Sequence, residues 1–302
     1  MATTTANLGL TKPDYTEKAD IAVINGNMDK IDTAVHQRDR AVDLTDNGYF
    51  ANPINQRGAS SYNSEGYTID RWRLNGALPM TIDNGCITFS NNTSGTLYLE
   101  HRIPLGKLTI GEMYTVAVKT TDGTIHCGSC KLSDTLTSTV STDDFYVQIH
   151  KGSDCGRLQL RIRGGKTVQV VWVAMYEGAY TAETLPAYMP KGYAAELLEC
   201  QRYYYNIPDN SDISYIGYSG SATQARITIP LPVPMIAKPT ISVEDLTKTN
   251  IFTETASLKA TAVSCNNAEG NVATLYCTTS GLTAWKPCVM RFNTPAALSA
   301  DL

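Results

Sequence analysis

Residues 145–163 read Phe-Tyr-Val-Gln-Ile-His-Lys-Gly-Ser-Asp-Cys-Gly-Arg-Leu-Gln-Leu-Arg-Ile-Arg. Phe145, Val147 and Ile149 alternate with Tyr146, Gln148 and His150, and Leu158, Leu160 and Ile162 alternate with Arg157, Gln159, Arg161 and Arg163. A period of two sends successive side chains to opposite faces of an extended strand. One apolar face and one polar face predict sheets packed on one side only. Working outward, Leu97 and Leu99 alternate with Tyr98 and Glu100, and Tyr114, Val116 and Val118 alternate with Thr115, Ala117 and Lys119. Gly and Asp turns separate these segments, the pattern of a β-sandwich. Val168–Tyr176, interrupted only by Gln169, carries apolar residues on both faces. It predicts either a central strand covered on both faces or a strand at a subunit contact.

The 302-residue length predicts two domains and an extension. Hydrophobic residues make up 42% and charged residues 18%, so cores are affordable on a surface whose polarity comes from Thr, Ser, Asn and 17 Tyr. The net charge of -4 and the lack of a Lys/Arg cluster argue against a nucleic-acid partner, which needs a basic face. The N-terminal MATTTANLGL lacks the basic and apolar regions of a secretory signal, and Val168–Tyr176 is far too short to span a bilayer. The reading is synthesis in a cytosol, with no membrane insertion. Under that reading the eight Cys are expected as reduced core thiols, and the sequons at Asn91 and Asn92 carry no meaning.

Residues 1–13 have no periodicity and are expected as an extended arm. Over 14–43, Ile21, Met28, Val35 and Val42 occupy a positions of a heptad pattern, with Ile24, Ile31 and Arg38 at d. Asp14 and Glu17 are spaced as a helix cap. Ile at both a and d favours three strands over two, so Ile21, Ile24, Met28, Ile31 and Val35 are expected to trimerise the chain. Asn25, Gly26 and Asn27 are poor helix formers within it. The alternative is one amphipathic helix lying on its own domain.

From 44 to 190 the helical period is gone. Asn47-Gly48-Tyr49-Phe50, Asn52-Pro53, Gln56-Arg57-Gly58 and Tyr67-Thr68-Ile69-Asp70-Arg71-Trp72 open this segment, with Trp72 expected in its core. Residues 191–302 open with Glu196-Leu197-Leu198-Glu199-Cys200-Gln201-Arg202-Tyr203-Tyr204-Tyr205, an amphipathic turn running into a strand. In Ile227–Met235, proline occupies 230, 232 and 234. Only an edge strand or a segment outside a ladder tolerates that loss of N–H groups.

Catalytic constellations are weak. Cys127-Gly128-Ser129-Cys130 has metal-ligand spacing but no second pair, and is read as a hairpin turn at Gly128-Ser129. Gly217-Tyr218-Ser219-Gly220-Ser221 has Ser where a nucleophile elbow needs Gly. Asp143, Asp144, Glu65, Asp70 and Glu100 offer carboxylates for glycoside hydrolysis, with nothing to place a pair. No catalytic residue, metal or cofactor is therefore assigned.

Three stretches carry a resemblance. Asn7–Asp32, from Asn-Leu-Gly-Leu-Thr-Lys-Pro onward, resembles the N-terminal segment of tail-fibre and receptor-binding proteins of phages and prophages of low-GC Gram-positive (Firmicutes-type) bacteria. The 47–72 motifs resemble a jelly-roll module of phage tail proteins related to carbohydrate-binding modules. The ELLECQRYYY stretch and Pro232-Val233-Pro234-Met235 resemble the opening of a C-terminal tail-protein domain. The resemblance implies a mainly β homotrimer: a coiled-coil helix, then two jelly-roll-like β-sandwiches. It implies attachment to a tail or baseplate protein by the N-terminus, binding of a host cell-surface polysaccharide, and a place in the virion tail. Recognition on the domain farthest from the attachment point directs attention to 191–302. Aromatics in turns there are Tyr215, Tyr218 and Trp285, with Trp285 equally readable as a core or subunit-contact residue. A tail-borne depolymerase and a purely structural tail component are the rival readings.

Overall fold

The computed structural model describes the chain except residues 1, 7, 15, 17–19, 41, 210–211 and 302, with backbone alone at 33, 34 and 36–40. The helix α1 spans Ile21–Arg40 and is not yet formed at the described residues among 13–20. Asp20, not Asp14, caps it: its Oδ1 accepts the Ala22 amide at 2.8 Å. Glu17 and the Arg38 side chain lie outside the described residues. The arm doubles back rather than extending, with Thr3–Thr4 pairing antiparallel to Thr11–Lys12. Asn27 explains both that fold and its own place in a helix. Its amide accepts the Thr11 N–H and donates to the Thr11 carbonyl, both at 2.8 Å. Ile21, Ile24, Met28 and Val35 are exposed, so the single chain leaves the seam uncovered and the one-domain docking alternative fails.

The chain is mainly β. Two six-stranded antiparallel sheets follow α1. In the first, the order is Ile125–Lys131, Met113–Thr120, Lys166–Glu177, Cys86–Asn91, Met80–Asp83, Ser61–Tyr62. In the second it is Thr137–Ser141, Phe145–Lys151, Gly156–Ile162, Leu97–Ile103, Trp72–Asn75, Gly66–Tyr67. The alternation read from the sequence places Val116, Val118 and Phe89 of one sheet against Val147, Leu158 and Leu160 of the other in one core. Trp72 sits in it, fully buried, as expected.

The expectation of sheets packed on one side fails for the first sheet. A bulge between Val170 and Trp172 lets Val168, Val170, Val173 and Met175 face the main core. Trp172, Ala174 and Tyr176 face the other way, into a second apolar cluster with Ala117 and Tyr180. The chain itself supplies the cover: Leu185 and Tyr188 pack there, Tyr188 stacking on Trp172 with ring centres 4.4 Å apart at 12°. The doubly apolar strand is thus central and twice covered, without a neighbouring subunit.

The hairpin expected at Gly128-Ser129 is also wrong. Both residues lie inside the strand Ile125–Lys131, paired to Val116 and Thr115. Glycine is needed because the other sheet passes close: a Cβ at Gly128 would sit 2.0 Å from the Thr139 carbonyl oxygen. Cys127 joins the Trp172 cluster while Cys130 enters the main core, so the two thiols face opposite sides and cannot share a metal. All eight Cys are free, seven of them buried.

The helix α2 (Tyr193–Gln201) runs into the strand Tyr204–Ile207, as the sequence pattern indicates. A three-stranded sheet, Tyr204–Ile207, Ala296–Ser299, Thr240–Val243, faces a seven-stranded one. The latter runs Ser257–Lys259, Thr249–Phe252, Pro287–Phe292, Tyr215–Ser219, Gln224–Pro230, Val272–Thr278, Ala262–Glu269. Ile227, Leu275, Met290 and Phe292 fill the core with Leu298. Gln224–Pro230 is a central strand that ends at its first proline, and Pro232 and Pro234 fall beyond the ladder, as their missing N–H groups require.

The two motif-rich stretches meet. The Asn47 amide donates to Glu196 Oε1 at 2.6 Å, Gln56 donates to the Tyr204 carbonyl at 2.7 Å, and Arg57 bonds Asp70 at 3.0 Å and Asp301 at 2.6 Å. Arg57 lies 3.8 Å over the Tyr204 ring and Arg71 3.4 Å over Tyr203. Burial pushes the Asp70 carboxyl up to about 6 despite its bonds to Gln56 and Arg57. Burial lowers His101 to about 3, and its Nε2 accepts the Asp46 amide at 3.1 Å, the neutral form. Asp46 is held below the usual carboxylate range, against burial, by the charges around it, with Lys107, Arg71 and Lys191 within 3.5 Å. The junction is therefore a buried, hydrogen-bonded ionic network.

Candidate ligand-binding site

The three aromatics singled out in 191–302 separate by strand parity. On Tyr215–Ser219 the odd positions face inward, so Tyr215 is buried, packed edge-on to Phe292 at 6.0 Å, and its hydroxyl is pushed up to about 12 by burial. It is no ligand platform. Ile216 and Tyr218 face outward, 72% and 40% exposed.

Trp285 meets Tyr218 on that outer face. Their rings stack with centres 6.1 Å apart at 14°, and Trp285 remains 73% exposed. The expectation of a turn is met for Trp285, since Gly281–Lys286 joins Val272–Thr278 to Pro287–Phe292, but not for Tyr215 and Tyr218, which lie inside the strand Tyr215–Ser219, itself paired on both sides. The turn is held from beneath. The buried Ser219 hydroxyl lies 2.6 Å from the Thr283 carbonyl oxygen and 2.9 Å from that of Lys286, its single proton shared between them, and the Trp285 amide donates to the Ser219 carbonyl at 2.7 Å. This clamp holds Trp285 at φ 63°, a conformation that bulky residues seldom adopt and that costs of order 1 kcal/mol. The serine of the failed nucleophile elbow is thus a structural brace.

Several residues of this surface escaped the sequence reading. Arg226 stands between Tyr218 and Tyr276, 5.8 Å and 5.2 Å from their ring centres, and donates to the Tyr218 hydroxyl at 3.2 Å. Beside the stack lies a groove of about 670 Å³ lined by Ile216, Phe252, Lys286 and Val289, with Glu254, its only carboxylate, at the wall. The outward parity of Ile216 and Arg226 was legible, but the turn that carries Trp285 to their face was not. The surface offers stacked ring faces, a guanidinium fixed by cation–π contact, and an apolar trough, which suit a ligand with C–H faces and hydroxyls.

Of the carboxylates considered for hydrolysis, all of which lie in 44–190, Asp70 pairs with Arg57, Glu100 with Arg102 at 3.0 Å, Glu65 with Arg73 at 2.5 Å and Asp144 with Lys166 at 2.8 Å, while Asp143 stands exposed beside Asp144. No group of three or more potential metal ligands is assembled among the described residues. None of the described helices is long and apolar enough to cross a membrane.

No protein-family model matches the chain, and no curated protein does. Among solved structures, Bacillus subtilis oxalate decarboxylase aligns over 80% of each chain at 7% identity with a TM-score of 0.10, too low to carry any argument.

Proposed function

We propose that this chain is a phage-type tail protein that attaches by its N-terminus to a tail or baseplate and binds a host cell-surface polysaccharide through its C-terminal part. The observation that carries the reading is the exposed Tyr218–Trp285 stack, whose indole is held out of the core on a strained, clamped turn. A chain that merely needed a turn there would place Gly or Asn at a positive φ. The sequence resemblance of the first 40 residues and of the ELLECQRYYY stretch supports the same reading. The two facing sheets of 44–190 accord with the jelly-roll module the resemblance implies.

In this reading the uncovered α1 seam closes on two further copies. Three parallel helices would bring Ile21, Ile24, Met28, Ile31 and Val35 to one axis over about 30 Å for 20 residues. The working location is the virion tail, after synthesis in the host cytoplasm. Four of the five carboxylates considered for hydrolysis are held in ion pairs, which favours binding over a depolymerase.

The test is cell binding by Trp285→Ala and Tyr218→Ala chains whose folding and assembly match the parent. Loss of binding is expected, and parental binding by both refutes the site. For assembly, Ile24→Asp with Ile31→Asp should convert a sedimenting trimer to smaller species, because each Asp would bury a charge. A parent that sediments as a monomer at micromolar concentration overturns the trimer.

A further inference from the structure

The outer face of the second six-stranded sheet of 44–190 is a polar and aromatic ladder that the function above does not use. Strand register aligns Tyr146, Arg161, Tyr98 and Asn75 in one row across four strands, and Gln148, Gln159, Glu100 and Arg73 in the next. Hydrogen bonds lock the rows together. Arg161 donates from Nε at 3.0 Å and from its terminal nitrogen at 2.5 Å to Gln159 Oε1, and Gln159 Nε2 donates to Glu100 Oε2 at 2.8 Å. Gln159 and Glu100 are buried beneath the row, so the guanidinium above them is held in place. The Arg161 guanidinium lies 4.6 Å from the Tyr98 ring centre and 5.9 Å from that of Tyr146, and Arg163 lies 4.9 Å from Tyr146.

Two features select the occupant. Arg73, Arg102 and Arg157 each pair a carboxylate. Arg161 and Arg163 pair none among the described residues: Arg161 is held by the neutral Gln159, and Arg163 by the Thr142 carbonyl at 3.0 Å and the Ser141 hydroxyl at 3.2 Å. Both guanidinium groups are half-buried and keep free N–H donors for an anion. The two rows also consist wholly of Tyr, Arg and polar side chains, which pair with the C–H faces, acidic substituents and hydroxyls of a sugar chain. Tyr98 and Tyr146 stand two strand spacings apart, about 10 Å, a separation that an extended oligosaccharide can bridge.

We infer that this face binds an acidic glycan, with Tyr98 and Tyr146 packing sugar faces and Arg161, backed by Gln159, pairing a carboxylate or phosphate on the chain. The site is separate from the Trp285 platform and stands or falls independently of it.

The test is calorimetric titration of the full chain with a uronic-acid oligosaccharide, a poly(glycerol phosphate) oligomer and a neutral maltohexaose, each at low and high salt. At least one anionic probe should bind, more weakly at high salt, and the neutral probe at least tenfold more weakly still; which anionic probe wins identifies the acid. Arg161→Gln should weaken anionic binding by roughly tenfold or more, the worth of a charge-assisted contact. Tyr98→Ala should also weaken binding, through loss of a ring on which a sugar face packs, and Trp285→Ala should leave it unchanged. Absence of binding by both anionic probes, equal affinity for the neutral probe, parental affinity of Arg161→Gln, or a change of sedimentation in Arg161→Gln that marks the face as a subunit contact would overturn the inference.

Discussion

Replacing Arg57 by Ala tests whether the ionic junction joins the two β-rich parts of the chain. Arg57 is the shared counter-ion of Asp70 and Asp301, whose side chains are 0% and 4% exposed, and its own side chain is 15% exposed. Truncation leaves two buried carboxylates without that partner, and breaking one buried pair costs about 3–5 kcal/mol. Loss of the cation–π contact with Tyr204 adds about 1 kcal/mol. Because Asp70 keeps Gln56 as a donor at 2.8 Å and Asp301 keeps Ser299 at 3.1 Å, the lower end applies. The expected loss is about 3–4 kcal/mol at pH 7.5. The pH dependence adds a second constraint. Asp70 has its folded pKa raised from 3.8 to about 6, so its contribution is fully present below 3.8 and lost as pH rises through 6. Without Arg57 that pKa climbs further, so below pH 6 the variant relieves itself by taking up a proton. Its deficit should therefore shrink to about 1–2 kcal/mol near pH 5, what the lost packing and ring contact leave. Urea denaturation followed by circular dichroism measures this, and the parent should unfold in one transition where the variant shows two. A deficit below about 1 kcal/mol at pH 7.5, or one equal at both pH values, would refute the reasoning.

Asp43 gathers the Thr45 amide and hydroxyl and the Met175 amide on a single oxygen, and burial raises its carboxyl from 3.8 to about 6. Asp43→Asn keeps that acceptor and removes the burial cost of the charge, so stability should hold or rise at pH 7.5, and the part of the stability lost between pH 4 and 6 in the parent should vanish from the denaturation profile. Gly128→Ala should cost roughly 2–3 kcal/mol or fail to fold, because the new Cβ meets the Thr139 backbone at 2.0 Å and neither sheet can yield; a melting temperature within a degree or so of the parent's would contradict the close sheet approach. Trp285→Asn should leave stability unchanged or raise it by up to about 1 kcal/mol, since Asn tolerates positive φ, while glycan binding falls; thermal melting and a cell-binding assay separate the two effects.

What could be read locally was set by period and by backbone chemistry. Phe145–His150 and Arg157–Arg163 are strands because alternation is a property of consecutive residues, and the run from Glu196 into Tyr204 changes period where the helix gives way to a strand. The prolines after Ile229 fixed where a ladder ends, for want of N–H groups. Trp285 stood out because Ser280-Gly281 before it and Pro287 after it signal a turn, whereas the same reading of Tyr218 beside Gly217 and Gly220 mistook a strand residue for a turn residue. Everything that depended on a distant partner waited for the tertiary structure. Thr115 and Ala117 look solvent-facing until Tyr180–Pro190 folds over them, and Gly128 looks like a turn until Thr139 of the other sheet passes beside it. Tyr215 and Tyr218 differ by three residues, an odd step that sends one inward and the other out, and only the strand's register says which. The Gln56-Arg57 and Asp70-Arg71 motifs read as separate from Tyr203-Tyr204 and Asp301, yet they are one another's counterparts across the junction. A sequence records a charge or a ring at a position; desolvation and pairing, which decide what that charge or ring does, are properties of the neighbours that folding brings to it.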